Sequence, residues 1–318
     1  MDIVKSRILS FVSLACFLLL GPFSAWAAAL GTNTRSAIPA EVQQIIVVDY
    51  RAFNDSASAR ALKERLTTPR LREFEAALRK VGIVPEKEVE QLTFASFRSK
   101  AKGLQMVGVA EGSFTRERVV RGLRMKGIRP QKERLAVLYP MEGGMTMTFL
   151  EDSALLFGEP AAVKLALEAR QGEIPSVNTN GQITDLMSGM DEGAVWSVLD
   201  AEGTRNMVRS ALGESSQLTD SESLMKRLRG ARYTADFSRG CEFQLDISTS
   251  DSFTAGTLSS LFKAAMVVRK LSARGGEKIA LEGLSVESDG DRLKAHFQSD
   301  EERFQALLKS DLFATISK

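Results

Sequence analysis

Thr93-Phe94-Ala95-Ser96-Phe97, followed by Ser113-Phe114-Thr115, Phe157 and Ala166-Leu167, is a series of landmarks that this chain repeats. The second series is Thr234-Ala235-Asp236-Phe237, Ser252-Phe253-Thr254, Phe297 and Ala306-Leu307. Phe97 and Phe237, Ser113 and Ser252, Phe157 and Phe297, and Leu167 and Leu307 stand 139 or 140 residues apart. Four landmarks in one order with almost no drift predict a duplicated unit.

Working outward from the landmarks, each copy reads strand, helix, strand, strand, helix, strand, strand, helix. In the first, Ile45 to Tyr50 is a short apolar strand, and residues 56–81 carry a helical pattern. Thr67-Thr68-Pro69 divides that pattern into two helices, because proline fits a first turn and not an interior, and Thr68 is the expected cap. A hairpin over 92–98 and 104–110 precedes a helix over 114–126 with Val119, Val120 and Leu123 as its apolar stripe. Strands over 135–140, 145–150 and 154–157 lead to a helix over 160–170 with proline in its first turn. The second copy has a strand over 194–199, helices over 204–212 and 221–229, and a hairpin over 232–237 and 242–248. A long helix over 253–271 and a hairpin over 281–287 and 292–298, turning at Asp289-Gly290, follow. Asp300 then opens a last helix.

The expected fold is α+β: two tandem related units, each a mostly antiparallel sheet with helices packed on one face. Two packed sheets and one continuous sheet both satisfy this pattern. The expected boundaries are a signal peptide at 1–27, a linker at 28–40, a first unit at 41–170, a connector at 171–190 and a second unit at 191–318. Gly172, Pro175, Asn178, Asn180 and Gly181 supply the turn chemistry of the connector.

The N-terminus reads as an export signal. Lys5 and Arg7 precede an almost wholly apolar run from Ile8 to Leu20, and Ala25-Trp26-Ala27 is a small-x-small cleavage phrase. The run is short for a membrane span, which needs about 20 residues, though an uncleaved anchor is the alternative. Cys16 followed by apolar residues does not read as a lipidation site. A periplasmic or secreted location follows, with no transmembrane segment after cleavage. The net charge of +2 gives no basic excess of the kind a nucleic-acid surface shows, so nucleic acid is not an expected partner. Of two cysteines, Cys241 alone lies beyond the signal, in a strand-like run.

Residues for chemistry are few. His296 is the one histidine, and alternation sets it on the opposite strand face from Phe297, facing out. No Gly-x-Ser-x-Gly, phosphate loop or dinucleotide fingerprint is present, and no cofactor or metal is expected. Asp49 and Asp200 each end a first strand before a helix. They read as two helix caps, with a symmetric acidic site as the alternative. The helix from residue 115 is basic: Arg116, Arg118, Arg121, Arg124, Lys126 and Arg129 stand against Glu117. Arg60, Lys63, Arg65, Arg70, Arg72, Arg79 and Lys80 add to it from the preceding helices. Such a layer is a candidate contact for anionic headgroups or an acidic partner, and otherwise a solvated face. Phe253, Leu258, Leu261, Phe262, Ala265, Met266, Val268 and Leu271 cover more than one face of their helix, which predicts a central packing position.

Ile38-Pro39-Ala40-Glu41 before a strand ending at Asp49, Gly112-Ser113-Phe114-Thr115 before a helix ending at Gly127, Leu155-Leu156-Phe157-Gly158, and Trp196 to Asp200 together resemble a bacterial exported family of unknown function. Its members start with Leu-Pro-Ala-Asp, where this chain has Glu41 in place of the aspartate. The resemblance implies export and repeated α+β units, and no catalytic residue. The function expected is that of an exported non-enzymatic envelope protein that binds or scaffolds, its partner an envelope protein or an anionic membrane surface. The alternatives are a carboxylate-dependent hydrolase of envelope material and a carrier of lipid or another hydrophobic ligand.

Overall fold

Alternating apolar residues need a sheet face to bury them, and here the alternation feeds a single sheet. The computed structural model describes residues 29–66, 69–99, 103–134, 136–190, 193–212, 221–273, 278 and 281–309; the expected signal peptide, Cys16 and Thr68 lie outside them. The chain runs α1 (Thr32–Ser36), β1 (Val42–Asp49), α2 (Tyr50–Asp55), α3 (Ala57–Leu66), α4 (Pro69–Lys80), α5 (Pro85–Glu88), β2 (Val89–Ser99) and β3 (Gly103–Gly112). It continues through α6 (Arg116–Met125), β4 (Gln131–Glu133), β5 (Ala136–Pro140), β6 (Thr146–Glu151), β7 (Ala154–Gly158), α7 (Pro160–Arg170) and α8 (Gly181–Met187). Then come β8 (Val195–Leu199), α9 (Ala201–Leu212), α10 (Ser221–Lys226), β9 (Leu228–Asp236), β10 (Cys241–Thr249), α11 (Ser252–Ser272), β11 (Leu284–Asp289), β12 (Arg292–Ser299) and α12 (Glu301–Leu308).

The strands form one 12-stranded sheet in the order β11-β12-β10-β9-β8-β1-β2-β3-β7-β6-β5-β4, with antiparallel neighbours throughout. The β1–β8 ladder, from Gln44 opposite Leu199 to Val48 opposite Val195, joins its two sides. Of the two arrangements the sequence allows, the continuous sheet is the one adopted.

Period two divides the side chains between two faces. Along β2, Leu92 and Phe94 enter one core, and Ala95 and Phe97 enter another. The Phe97 face carries Ile45, Val47, Val107, Val109 and Leu156 beneath α7, α8 and the α1 segment. The opposite face of the same strands carries Leu155 and Phe157 beneath α4 and α6, through Leu78, Val119 and Leu123. Helices therefore cover both faces of this side of the sheet, not one. Residues 146–150 and 154–158 are buried without a break, the pattern of strands enclosed on both faces.

On the other side of the sheet, helices cover one face of β10 and β12, but α8 also packs on the reverse face of β8 and β9, through Ile183 and Leu186 against Trp196, Val198 and Gly230. Ala231, Leu245, Ile247 and Leu293 pack beneath α9 and α11, and Ala235, Phe237 and Cys241 beneath α3 and α12. The reverse face of β9, β10 and β12 is polar and partly exposed. There Arg232, Asp246 and Lys294 stand in one cross-strand row, and Thr234, Gln244 and His296 in the next.

The stretch expected as a linker is built into the core. Ile38 is 1% exposed and Thr34 fully buried. Val177 donates its amide to the Ile38 carbonyl at 2.7 Å, and the Ala40 amide donates to the Pro175 carbonyl at 2.9 Å, so linker and connector are sewn to each other. Leu30 and Ile38 are too few to show a period in the sequence. β4 was not expected either, because Gln131-Lys132-Glu133 has no apolar alternation. Residues expected as the end of a helix at 221–229 instead begin β9 at Leu228.

The paired landmarks have different side-chain surroundings. Phe97 lies within β2 and Phe237 just past β9, and they enter cores on opposite faces. Ala166 is fully buried while Ala306 is exposed, and Phe114 is buried while Phe253 is 78% exposed.

Candidate binding surface

α6 is the most basic helix of the sequence reading, and its packing decides what its cations can do. Val119 and Leu123 are fully buried against the sheet, and Phe114 anchors the entry to the helix. Gly122 lets the helix come close to the end of α4, since a Cβ at this position would lie 2.8 Å from the Val81 carbonyl oxygen. With that inner face fixed, Arg116, Arg118, Arg121, Arg124, Lys126 and Arg129 are all exposed.

These six cations have different surroundings. The Arg116 guanidinium lies 5.7 Å from the Phe149 ring centre. Arg118 pairs with Glu88. Burial works to raise the Glu88 carboxyl, but the Val84 amide and Arg118 outweigh it and hold the group below the usual carboxylate range. Arg121 reaches Glu117 at 3.0 Å, one turn back on the same helix. Among the described residues no carboxylate lies within 4.0 Å of Arg124, Lys126 or Arg129. Between these three stands Met125, 79% exposed. Among the described residues, the end of α6 and the turn after it thus expose an apolar side chain and three cations without ion-pair partners.

On the helices before α6, Lys63 and Arg79 are engaged by carboxylates. Lys63 turns inward, 2.6 Å from Glu75 and 2.6 Å from the Tyr50 hydroxyl. Tyr50 in turn donates to Glu75 at 2.7 Å. Burial, with Glu75 beside it, raises the Tyr50 pKa and keeps it a neutral phenol. Arg79 pairs with Glu86. Lys63 is thus a structural ion joining α3 to α4 rather than part of a basic surface.

Asp49 and Asp200 are helix caps. Asp49 accepts the Ala52 amide at 2.9 Å and Asp200 accepts the Gly203 amide at 2.6 Å. They stand at opposite ends of the β1–β8 ladder: the Asp49 amide bonds the Ala194 carbonyl, and the Asp200 amide bonds the Gln43 carbonyl. Six residues of strand separate them, about 20 Å. A symmetric acidic site built from this pair is ruled out by that distance, since paired carboxylate chemistry works below about 10 Å.

His296 lies on the polar sheet face with its Nε2 3.4 Å from Glu242. Cys241 is buried, and burial, with Asp236 and Glu242 nearby, pushes its thiol up to about 12. It is therefore a protonated packing residue at neutral pH.

α11 is not central. Ala255 and Leu258 are fully buried against the sheet, but Phe253, Val267, Val268 and Leu271 are exposed on its outer side. Among the described residues no helix is long and apolar enough to cross a membrane, and no cluster of three or more His, Cys, Asp or Glu side chains is placed to hold a metal.

No family model and no curated protein matches the sequence. Solved structures do. The crystal structure of TP0453 (crystal form I) superposes with a TM-score of 0.50 over 92% of this chain and 98% of that one, at 11% identity. At that identity the likeness is one of fold.

Proposed function

We propose that the protein is an exported, non-enzymatic envelope protein that acts by binding, and that the outer end of α6 is its contact with an anionic membrane surface. The carrying observation is the exposed stretch of Arg124, Met125, Lys126 and Arg129, whose three cations have no carboxylate partner among the described residues. Unpaired cations lose no ion pair when they meet headgroup phosphates, and each contributes about 1 kcal/mol near such a surface. Export rests on the charged start, apolar run and Ala25-Trp26-Ala27 phrase. The Ile38-Pro39-Ala40-Glu41 start and the Trp196 to Asp200 strand support kinship with the exported family noted from the sequence.

Two tandem units are part of this reading. Outward from the β1–β8 ladder, β1-β2-β3-β7-β6 on one side mirrors β8-β9-β10-β12-β11 on the other. α6 and α11 follow the third strand of each series. β4 and β5 would then be additions to the first unit, and α12 a helix that crossed to the face opposite α7.

Vesicle co-sedimentation of the chain from residue 28 onward tests the reading. Binding is expected to vesicles containing phosphatidylglycerol and not to phosphatidylcholine alone, and to weaken as ionic strength rises. Equal binding to both, or to neither, contradicts it.

A further inference from the structure

The solvent-facing side of α11 has the pattern of a buried seam. Phe253, Thr257, Ser260, Ala264, Val267 and Leu271 follow one another at spacings of 4, 3, 4, 3 and 4 residues, the a/d pattern of a two-stranded coiled coil. None carries a charge, whereas a solvated helix face is ordinarily polar. Phe253 is 78%, Val267 58% and Leu271 84% exposed. The two hydroxyls of the row are already satisfied: Thr257 donates to the Phe253 carbonyl at 2.9 Å and Ser260 to the Gly256 carbonyl at 2.9 Å. Burying them would strand no donor.

We propose that this face is the contact surface of a symmetric dimer of the chain, formed by two α11 helices packed antiparallel. The antiparallel arrangement matches side-chain sizes layer by layer. It sets Phe253 against Leu271 of the second copy, Thr257 against Val267, and Ser260 against Ala264, symmetrically about Phe262. The central small–small layers let the helices approach closely, and the large residues close the two ends. The exposed apolar side chains on this face leave on the order of 500 Å² per copy, so a pair buries about 1,000 Å², the lower bound of a specific interface. Lys263 and Lys270 lie on one flank of the seam, where they stay in water at the rim.

Sedimentation velocity on the chain from residue 28 onward, over about 1 μM to about 1 mM, tests the proposal. The expected result is a shift from monomer to dimer with concentration. Val267→Glu and Leu271→Glu should each weaken it by at least about tenfold, with unchanged circular dichroism because both sites are exposed. A Ser260→Cys, Ala264→Cys double variant should oxidise to a covalent dimer. Either single variant should cross-link poorly, because like residues of the two copies lie beyond the roughly 7 Å a disulfide can bridge. Buried Cys241 does not compete. A monomer throughout, a dimer that both glutamate variants leave intact, or single variants that cross-link as well as the double one overturns the proposal. So does a monomer whose vesicle binding is lost in these two variants, which would give the face to lipid.

Discussion

Glu111 illustrates how one residue records a segment that sequence reading set aside. It sits near the end of β3 and accepts the Thr34 hydroxyl at 2.8 Å, tying α1 to the sheet. Burial raises its pKa, the Thr34 bond works against that, and Glu151 adds to the rise. A carboxyl whose folded pKa lies above its unfolded value holds its proton more tightly in the folded state. Its contribution is therefore most favourable at low pH and is lost as pH rises from about 4.3 towards the raised folded value. Glu111→Gln keeps an acceptor for Thr34 and removes the charge. The variant should melt higher than the wild type at pH 7 and match it below about pH 4. A lower melting temperature for the variant at pH 7 would contradict the assignment. Nothing in the sequence marked Glu111, because its role depends on α1, a helix of five residues without apolar periodicity.

At the scale of elements, sequence and structure agree most where a local rule decides alone. The helix over 160–170 has the expected bounds, since proline opens it. The Asp289-Gly290 hairpin forms with Gly290 at φ +57°. Asp49, Asp200 and Asp300 cap the helices that follow them. Replacing Asp49 or Asp200 by alanine should cost about 1 kcal/mol each. The two costs should add, because the sites are too far apart to couple. Urea melts of both single variants and the double variant check this, and vesicle binding should survive in all three. What local rules do not decide is the face a helix covers. α7 and α12 share the Ala-Leu landmark yet pack on opposite faces of the sheet, Ala166 turning inward in one and Leu307 in the other. The cations of α6 were legible in the sequence. Which of them lacked partners was not, since Glu88 comes from α5 and reaches Arg118 only in three dimensions.

At the scale of the molecule, the β1–β8 ladder makes the twelve strands one continuous sheet. Trp196 lies in that ladder opposite Val47, 2% exposed. Trp196 is the one tryptophan of the chain from residue 28 onward. Its emission should shift to the red together with the loss of far-ultraviolet circular dichroism during denaturation. A fluorescence transition that clearly precedes the loss of secondary structure would mean that the two sides separate before they unfold. Val119 and Leu123 pack α6 against this sheet and leave Arg124, Lys126 and Arg129 exposed, the proposed contact with an anionic surface. The most direct test of that role is vesicle binding by an Arg124→Glu, Lys126→Glu, Arg129→Glu variant beside the wild type, on phosphatidylglycerol membranes at low and high salt. The wild type should bind at low salt and release at high salt, while the variant fails to bind at either and keeps its melting temperature. A variant that binds as the wild type does would contradict the assignment of α6 as the contact surface.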